Sequence, residues 1–259
     1  MTRADVPADS DRGQAQRRDA AAWPIAALIP AYNAADTVAA VVRQTRHTLP
    51  EVVIVDDGST DATAAVARDA GAHVVQHAVN RGKGAALCTG FNALLERGYR
   101  RALVLDADGE HLPAEIPKLI AASNETPAAL VIGVRDKAGH RIAGARRFAN
   151  WLGDRAVSLV AGRALSDTQS GFRIYPVAET LALGARGARM DFESEILILA
   201  CRAGMPTREI TVQVYYPPPS ERVSHYRTVS DTVRIARAVV RIPCRSLAIR
   251  LGLSKLTGP

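Results

Sequence analysis

Two aspartates stand one residue apart at the end of an apolar run, in the stretch VLDADGEH at residues 104–111. Paired carboxylates repel each other, so Asp106 and Asp108 need a cation or strong hydrogen-bond donors nearby. In extended backbone, side chains two residues apart point to the same side, where both could grip one Mg²⁺ or Mn²⁺ ion, with Glu110 as a third ligand. A metal held by so few carboxylates completes its coordination with water and substrate phosphates. The motif therefore predicts a metal–diphosphate site, with an ordinary turn as the alternative.

The surrounding sequence excludes several other sites that contain similar motifs. An EF-hand loop has glycine at its sixth position and follows a helix, whereas Gly109 is fourth and follows a predicted strand. The phosphatase motif DxDxT has threonine where this chain has Glu110. No GxGxxG follows the first predicted strand, and the GKG at residues 82–84 lacks the rest of a phosphate-binding P-loop. Dinucleotide-binding and P-loop sites are therefore not expected.

Three further polar clusters lie where predicted strands or loops end. They are PAYN at residues 30–33, DDGSTD at residues 56–61 and NRGKG at residues 80–84. Each has a plain structural interpretation, because Asp, Ser, Asn and Gly are common in turns and helix caps. For Ser59, Thr60 and Asp61 we expect a helix cap. For NRGKG, a turn before a helix and a contact to a nucleotide remain as alternatives.

The elements that must position these clusters alternate between strand and helix patterns. The hydrophobic pattern predicts strands at residues 25–30, 52–57, 73–77, 101–108, 129–134 and 209–216. It predicts helices at residues 36–49, with Asp36 as a candidate cap, and at 58–71, 82–98, 143–161 and 191–203. Residues 167–176 form a turn-rich stretch. Such alternation indicates a mostly parallel sheet covered by crossover helices, an α/β fold in which ligands bind at the carboxyl ends of the strands.

The composition is that of an ordinary globular protein, with 47% hydrophobic residues in a chain of 259. Three widely spaced cysteines, Cys88, Cys201 and Cys244, suggest neither a disulfide framework nor a zinc site, so we expect a reducing cytoplasm. Residues 1–22 are polar and lack the apolar core of a signal peptide, and we interpret them as a disordered leader. No stretch is long and apolar enough to span a membrane. The expected catalytic domain then covers residues 23–216, with a tail at residues 217–259.

Residues 222–259 of the tail carry the whole of the formal net charge of +7. Its arginines and its apolar residues form two faces of a predicted amphipathic helix, kinked near Pro243. Such a helix could dock on its own catalytic domain with the arginines in water, or lie peripherally on an anionic membrane surface. Nucleic acid is not an expected partner, because no binding motif or interleaved aromatic residues are present.

Several motifs occur in one order along the chain, namely PAYN, VDDGSTD, NRGKGAA, DADGEH, GVR, RRFAN, DTQSGFR and FESEI. The ordered series resembles the family-2 glycosyltransferases of GT-A fold, and within them the dolichyl-phosphate mannose and polyprenyl-phosphate sugar synthases. The resemblance implies a Rossmann-like, mostly parallel sheet flanked by helices. It also implies an inverting enzyme that moves a sugar from GDP-mannose or a UDP-sugar with the help of Mg²⁺ or Mn²⁺.

The resemblance also implies roles for individual residues. On the nucleotide side these are Pro30, Tyr32, Asn33, Asp57, Lys83 and Asp106, with Asp57 accepting from the base. The implied metal ligands are Asp106, Asp108 and Glu110. The implied acceptor-phosphate residues are Arg135, Arg146 and Asn150, because arginine binds phosphate in a bidentate manner. A further arginine, Arg173, is expected to order the acceptor loop, and His225 lies in an expected surface loop.

The acceptor decides whether a catalytic base is needed. A lipid phosphate is already anionic, whereas a hydroxyl requires a base, for which Asp167, Asp191, Glu193 and Glu195 are candidates. The last three could instead be acidic residues of a first helical turn. We therefore expect a cytoplasmic, peripheral enzyme that acts on polyprenyl phosphate, with transfer to a hydroxyl of a lipid or polysaccharide as the alternative. A nucleotide-binding domain without turnover is a third hypothesis, which the intact Asp106 and Asp108 disfavour.

Overall fold

The computed structural model describes residues 23–136, 144–187, 189 and 191–215, with the backbone alone for residues 144–150. The predicted leader and the predicted basic tail, including His225, lie outside the described residues. The domain boundaries at residues 22 and 216 therefore stay predictions.

Within the described part of the chain, seven strands form one sheet in the order β3-β2-β1-β4-β6-β5-β7. The strands are β1 (Ile25–Ala31), β2 (Val52–Asp56), β3 (His73–Gln76), β4 (Arg101–Val104), β5 (Leu130–Arg135), β6 (Arg173–Pro176) and β7 (Thr207–Val212). Among these strands β6 alone is antiparallel to its neighbours, β4 and β5. The predicted mostly parallel α/β sheet is confirmed.

Helices connect the parallel strands. They are α1 (Val38–Arg46), α2 (Thr63–Asp69), α3 (Lys83–Glu96), α4 (Ile116–Glu125), α5 (Gly144–Ala161), α6 (Val177–Ala182) and α7 (Asp191–Arg202). A single 3₁₀ turn, Pro113–Glu115, precedes α4.

The core lies on both faces of the sheet, because successive residues of a strand point to opposite sides. In β1, Ala26 and Leu28 pack in one buried cluster that includes side chains of α3 and α7. Ala27 and Ile29 pack in the other, which includes side chains of α1 and α4. A sheet buried on both faces explains why the strands are continuous apolar runs in the sequence.

Two predictions about individual strands were wrong. The fourth predicted strand was expected to run to Asp108, but β4 ends at Val104. Its ladder stops there because β6 begins opposite at Arg173, and Gly109, with φ of 77°, turns the chain away. The stretch at 167–176 was expected to be turn-rich with no strand assigned to it, yet its last four residues form β6, between β4 and β5.

The predicted cap of α1 was wrong, and α2 begins later than expected. The residue that precedes α1 is Thr37 rather than Asp36, and α2 begins only at Thr63, after Ala62. Neither of these two residues makes a side-chain capping hydrogen bond. Helices α4 and α6 were not predicted.

Replacement of Phe91 by alanine tests the packing between α3 and the sheet. Phe91 is fully buried, and its ring centroid lies 5.3 Å from that of Tyr175 on β6. We expect Phe91→Ala to lower the free energy of unfolding by about 3–5 kcal/mol in urea titrations, because it leaves a cavity. Val79→Ala, at a residue that is 66% exposed, is the control and should change stability by less than about 0.5 kcal/mol. A loss for Phe91→Ala as small as that of the control would contradict this packing.

Candidate active site

The sheet brings the predicted polar clusters together at one edge. Strands β1, β2 and β4 are parallel neighbours, so their carboxyl ends lie side by side. The loops that follow them are joined by hydrogen bonds. Asn33 N–H donates to Ser59 Oγ (2.9 Å), and the Thr37 hydroxyl donates to the carbonyl of Ala107 (2.6 Å).

Asp61 Oδ1 accepts from the main-chain N–H of Thr63 (3.0 Å), the first residue of α2, and the same segment also holds the loop after β1. Thr60 N–H donates to Asn33 Oδ1 (2.8 Å), and Ala35 N–H donates to Asp61 Oδ2 (3.2 Å). Asn33 has φ of 48°, a left-handed conformation that asparagine tolerates better than most residues. These bonds fix the PAYN loop, in which Pro30, Tyr32 and Asn33 are half-buried.

Asp57 organises the loop that leads to α3. The residue is 3% exposed, and its carboxylate accepts from the main-chain N–H groups of Arg81 (2.9 Å) and Gly82 (2.7 Å) and from His77 Nδ1 (2.6 Å). His77 Nε2 in turn contacts the Thr89 hydroxyl (2.9 Å). Asp57 therefore has a structural role inside the protein, and its contact with a nucleotide base stays a prediction. The sequence analysis missed His77, because nothing in HVVQH distinguishes it from a strand residue.

The two aspartates of the DADGEH motif lie in a turn, not in extended backbone. Asp106 N–H donates to His111 Nδ1 (3.0 Å), and Glu110 N–H donates to Asp108 Oδ1 (2.9 Å). The His111 ring is buried and stacks on Phe172 at 5.1 Å between centroids. A turn, rather than the alternation of a strand, sets the positions of the two carboxylates. The backbone argument was therefore wrong, and the role of the two aspartates as metal ligands stays a prediction.

The surroundings lower the pKa of Asp106 and raise the pKa of Asp108. Burial opposes ionisation of Asp106, but the charge of Lys83, followed by His111 and Arg135, lowers its pKa to about 2. Desolvation and then the negative charge of Asp106 raise the pKa of Asp108 to about 7, even though the residue as a whole is exposed. Burial lowers the pKa of His111 to about 4. His111 is therefore a neutral imidazole at pH 7, as its acceptor role toward Asp106 N–H requires.

Lys83 links this turn to α7. Its ammonium nitrogen lies 2.6 Å from Asp106 Oδ1 and 3.2 Å from Glu193 Oε2. The Lys83 side chain is 14% exposed and the Glu193 side chain 4%. Elements distant in sequence thus meet in one charged cluster of an ammonium and two carboxylates.

The other acidic candidates in this part of the chain have different surroundings. Glu195 Oε2 accepts from the main-chain N–H groups of Arg186 (3.1 Å) and Gly187 (2.7 Å), and Asp191 Oδ1 accepts from Arg189 N–H (3.2 Å). These bonds tie the chain before α7 to its first turns. Of the three acidic residues, Glu193 is the one that Lys83 links to Asp106.

Arg135, the last residue of β5, and Asp167, in the loop before β6, form a bidentate ion pair. Arg135 donates from Nε to Asp167 Oδ2 (2.7 Å) and from Nη2 to Asp167 Oδ1 (2.8 Å). Asp167 is 1% exposed. Because the guanidinium engages both of its oxygens, Asp167 is better suited to hold Arg135 in place than to accept a proton. The side chains of the other two predicted acceptor residues, Arg146 and Asn150, lie outside the described part.

Arg173 orders the loop that precedes β6, and a role of that loop in acceptor binding stays a prediction. It is fully buried and donates to the carbonyls of Thr168 (2.8 Å), Ser170 (2.7 Å) and Glu193 (2.8 Å). One side chain thereby fixes the loop before β6 relative to the first turn of α7.

The charged turn fits a divalent cation that a substrate helps to hold. Among the described residues, no group of three or more His, Cys, Asp or Glu side chains could hold a metal ion. Glu110 is half-buried beside Asp108 and does not complete such a group. Burial and the negative charge of Asp106 raise the pKa of Asp108, so a bound cation would favour its ionised form. Two carboxylates are the usual protein share of a Mg²⁺ site completed by water and phosphates.

The fold and this site define a class of protein, the nucleotide-sugar transferases of GT-A-like fold. A family model described as "Glycosyl transferase family 2" matches residues 26–177. The chain therefore belongs to glycosyltransferase family 2, and the family expected from the motifs is confirmed.

Curated relatives share the sequence over most of their length. The chain is 34% identical to an undecaprenyl-phosphate mannosyltransferase of Micrococcus luteus, over 71% of this chain and 81% of the relative. It is 32% identical to a polyprenol monophosphomannose synthase of Mycolicibacterium smegmatis, over 71% of this chain and 75% of the relative. Both belong to the branch that the motifs resemble.

A solved structure shares the fold. It is the glucosyl-3-phosphoglycerate synthase of Mycobacterium tuberculosis in complex with Mn²⁺, uridine diphosphate and glucosyl-3-phosphoglycerate, with a TM-score of 0.68 at 18% identity. The likeness covers 93% of this chain and 86% of that one. In the described part of this protein, no helix has the length and hydropathy of a membrane span.

Replacement of Asp57 by asparagine tests its role in holding the loop before α3. The substitution puts an amide N–H₂ where a carboxylate oxygen accepts from main-chain donors, so one buried donor loses its partner. We expect a loss of about 1–3 kcal/mol in the free energy of unfolding, measured in urea. Asp36→Asn, the same change at an exposed residue, is the matched control. Equal stability of the two variants would contradict the proposed role.

Proposed function

We propose that the protein transfers a sugar, with inversion, from a nucleotide diphosphate donor to a polyprenyl phosphate. The proposal rests on one observation about the site. Arg135 lies near the turn that contains Asp106 and Asp108. Arg135 is near enough to lower the pKa of Asp106. A place for a cation–diphosphate thus lies beside a cationic group suited to a phosphate acceptor. The named activities of the two curated relatives support the same acceptor class.

The donor would lie at the carboxyl edge of β1, β2 and β4. In this proposal the loop of Pro30, Tyr32 and Asn33 contacts the nucleotide, and Asp57 keeps the base side of the pocket in shape. Asp106 and Asp108 would hold a bound Mg²⁺ or Mn²⁺, whose chemistry is to neutralise charge that builds up on the departing diphosphate. Because the turn is fixed by His111, its carboxylates need little rearrangement before the donor binds.

The acceptor would approach from the side of Arg135 and the loop before β6. A phosphate monoester carries the negative charge of its own nucleophile, so its oxygen can attack the anomeric carbon while the bond to the nucleotide diphosphate breaks. No proton has to be removed from such an acceptor, in keeping with the engagement of Asp167 by Arg135. Arg135 would orient the acceptor phosphate, and Asp167 would orient Arg135.

One observation favours transfer to a hydroxyl as a second candidate. Glu193 is 3% exposed, and its buried Oε1 atom has no hydrogen-bond partner among the residues that the structure describes. A carboxylate oxygen of this kind could accept the proton of an alcohol, which neither Asp167 nor Asp191 is as well placed to do. In this second function Glu193 would be the catalytic base.

A transfer assay with purified protein separates the two functions. We would supply radiolabelled GDP-mannose, UDP-glucose or UDP-N-acetylglucosamine with Mn²⁺, and offer polyprenyl phosphate or the matching polyprenol in detergent. We expect label in the organic phase with the phosphate acceptor and not with the alcohol. Asp108→Asn should reduce the rate at least roughly 100-fold, because several kcal/mol of charge stabilisation are lost. Asp36→Asn should be unaffected. Transfer to the alcohol alone would favour the second function, and no transfer from any donor would contradict both.

The pH dependence of metal binding follows from the raised pKa of Asp108. At pH 6 the carboxyl is mostly protonated and at pH 8 mostly ionised, since its pKa is about 7. Because a cation binds the ionised form, we expect Mn²⁺ affinity in the presence of a nucleotide sugar to be about tenfold lower at pH 6 than at pH 8. The diphosphate of a nucleotide sugar keeps a constant charge over this range, so it does not contribute. Electron paramagnetic resonance of free Mn²⁺ measures the affinity, and a constant affinity from pH 6 to 8 would contradict the expectation.

A further inference from the structure

We propose that Lys83 is an internal counter-cation that competes with a divalent metal ion for Asp106, so that the metal binds tightly only together with a diphosphate. The inference rests on the proposed function for its metal and its diphosphate. It does not depend on which sugar or acceptor the enzyme uses. It assigns Lys83 a positioning role that couples the binding of two ligands.

The first support is the direct contact between Lys83 and a predicted metal ligand. The Lys83 ammonium lies 2.6 Å from Asp106 Oδ1, and both side chains are largely shielded from water, at 14% and 29% exposed. Shielded charges interact more strongly than charges on the surface, where water screens them. Asp106 is therefore already neutralised in the protein without metal.

The second support is the way in which Lys83 is kept in place. Its backbone begins α3 directly after Gly82, whose N–H donates to the buried carboxylate of Asp57. Its ammonium also contacts Glu193 Oε2 (3.2 Å) from the other side. A lysine held at both its main chain and its tip cannot move away freely when a cation approaches Asp106.

The third support is the tight packing around the cluster. A Cβ atom built on Gly171 would lie 2.8 Å from Lys83 Nζ, 3.0 Å from Asp106 Oδ2 and 3.1 Å from Glu193 Oε1. The three charged groups thus surround the bare Cα of Gly171, and any larger residue would displace one of them. The absence of a side chain at this position is what allows the ammonium to reach Asp106.

These contacts predict a low affinity for metal alone. A cation that approaches Asp106 meets an ammonium that already uses one of its oxygens, and the two positive charges repel. A diphosphate changes this balance, because it brings negative charge and its own ligand oxygens. An ammonium has three N–H donors, and Asp106 and Glu193 take two of them, which leaves one for a phosphate oxygen. Lys83 would then share its charge with the diphosphate and compete less with the metal.

The test measures Mn²⁺ binding by paramagnetic resonance, alone and with UDP or GDP, in the wild type and three variants. A neighbouring charge within about 4–6 Å changes the ion affinity of a carboxylate by roughly 10- to 1000-fold. We therefore expect Lys83→Met to bind Mn²⁺ alone at least about tenfold more tightly than the wild type and to lose most of the enhancement by nucleotide. Lys83→Arg should retain the weak binding of metal alone. Lys118→Met is the matched control, because Lys118 forms an ion pair of the same length with Glu115 but is 55% exposed.

A gain in affinity separates this role from a structural one, because damage to the site can only weaken metal binding. Unchanged or weaker binding of Mn²⁺ alone by folded Lys83→Met would overturn the proposal. If that variant does not fold, the wild type still decides, since an enhancement by nucleotide of less than about threefold would equally contradict the coupling. Coupled binding without transfer of sugar to polyprenyl phosphate would refute the proposed function and leave this inference standing.

Discussion

The site is built around the repulsion between two carboxylates that a short turn holds together. Asp106 is neutralised from within by Lys83, whereas burial and the negative charge of Asp106 raise the pKa of Asp108. This asymmetry gives the two aspartates different chemistry although only one residue lies between them in the sequence. The surrounding elements serve to maintain it. The ring of His111 fixes the main chain of the turn, and α3 and α7 bring the lysine and its second partner.

The buried charges of this protein mostly hold loops in place. Asp57 accepts from two main-chain N–H groups and from His77, and Arg173 donates to three main-chain carbonyls. A buried charge is costly unless its hydrogen-bonding capacity is filled, so each of these residues strongly favours one loop conformation. The loops at the carboxyl edge of the sheet are therefore ordered before any ligand binds, which reduces the entropy that binding must overcome.

The sequence was most informative where the pattern was regular and local. The strands β1, β2, β3 and β5 were predicted within one or two residues, because continuous apolar runs between polar clusters have few other interpretations. The end of β4 was missed, since it is set by a partner strand that lies about seventy residues away in the chain. The contacts of Lys83 with Glu193 and of Arg135 with Asp167 were also beyond reach. Each joins residues whose separation no local pattern encodes, and the pairing of Arg135 changed the role expected of Asp167.

The reversed direction of β6 allows the two halves of the site to diverge independently. This strand starts at the site and runs away from it. In the proposed function, the loop that precedes β6 would therefore face the acceptor, while the loops that follow β1, β2 and β4 would face the donor. The chain between Arg135 and Asp167 belongs to the long connection between β5 and β6. Insertions or deletions within that connection would not change the pairing register among β1, β2, β3 and β4. Descendants of such a scaffold can thus exchange one acceptor for another while they inherit an unaltered donor pocket.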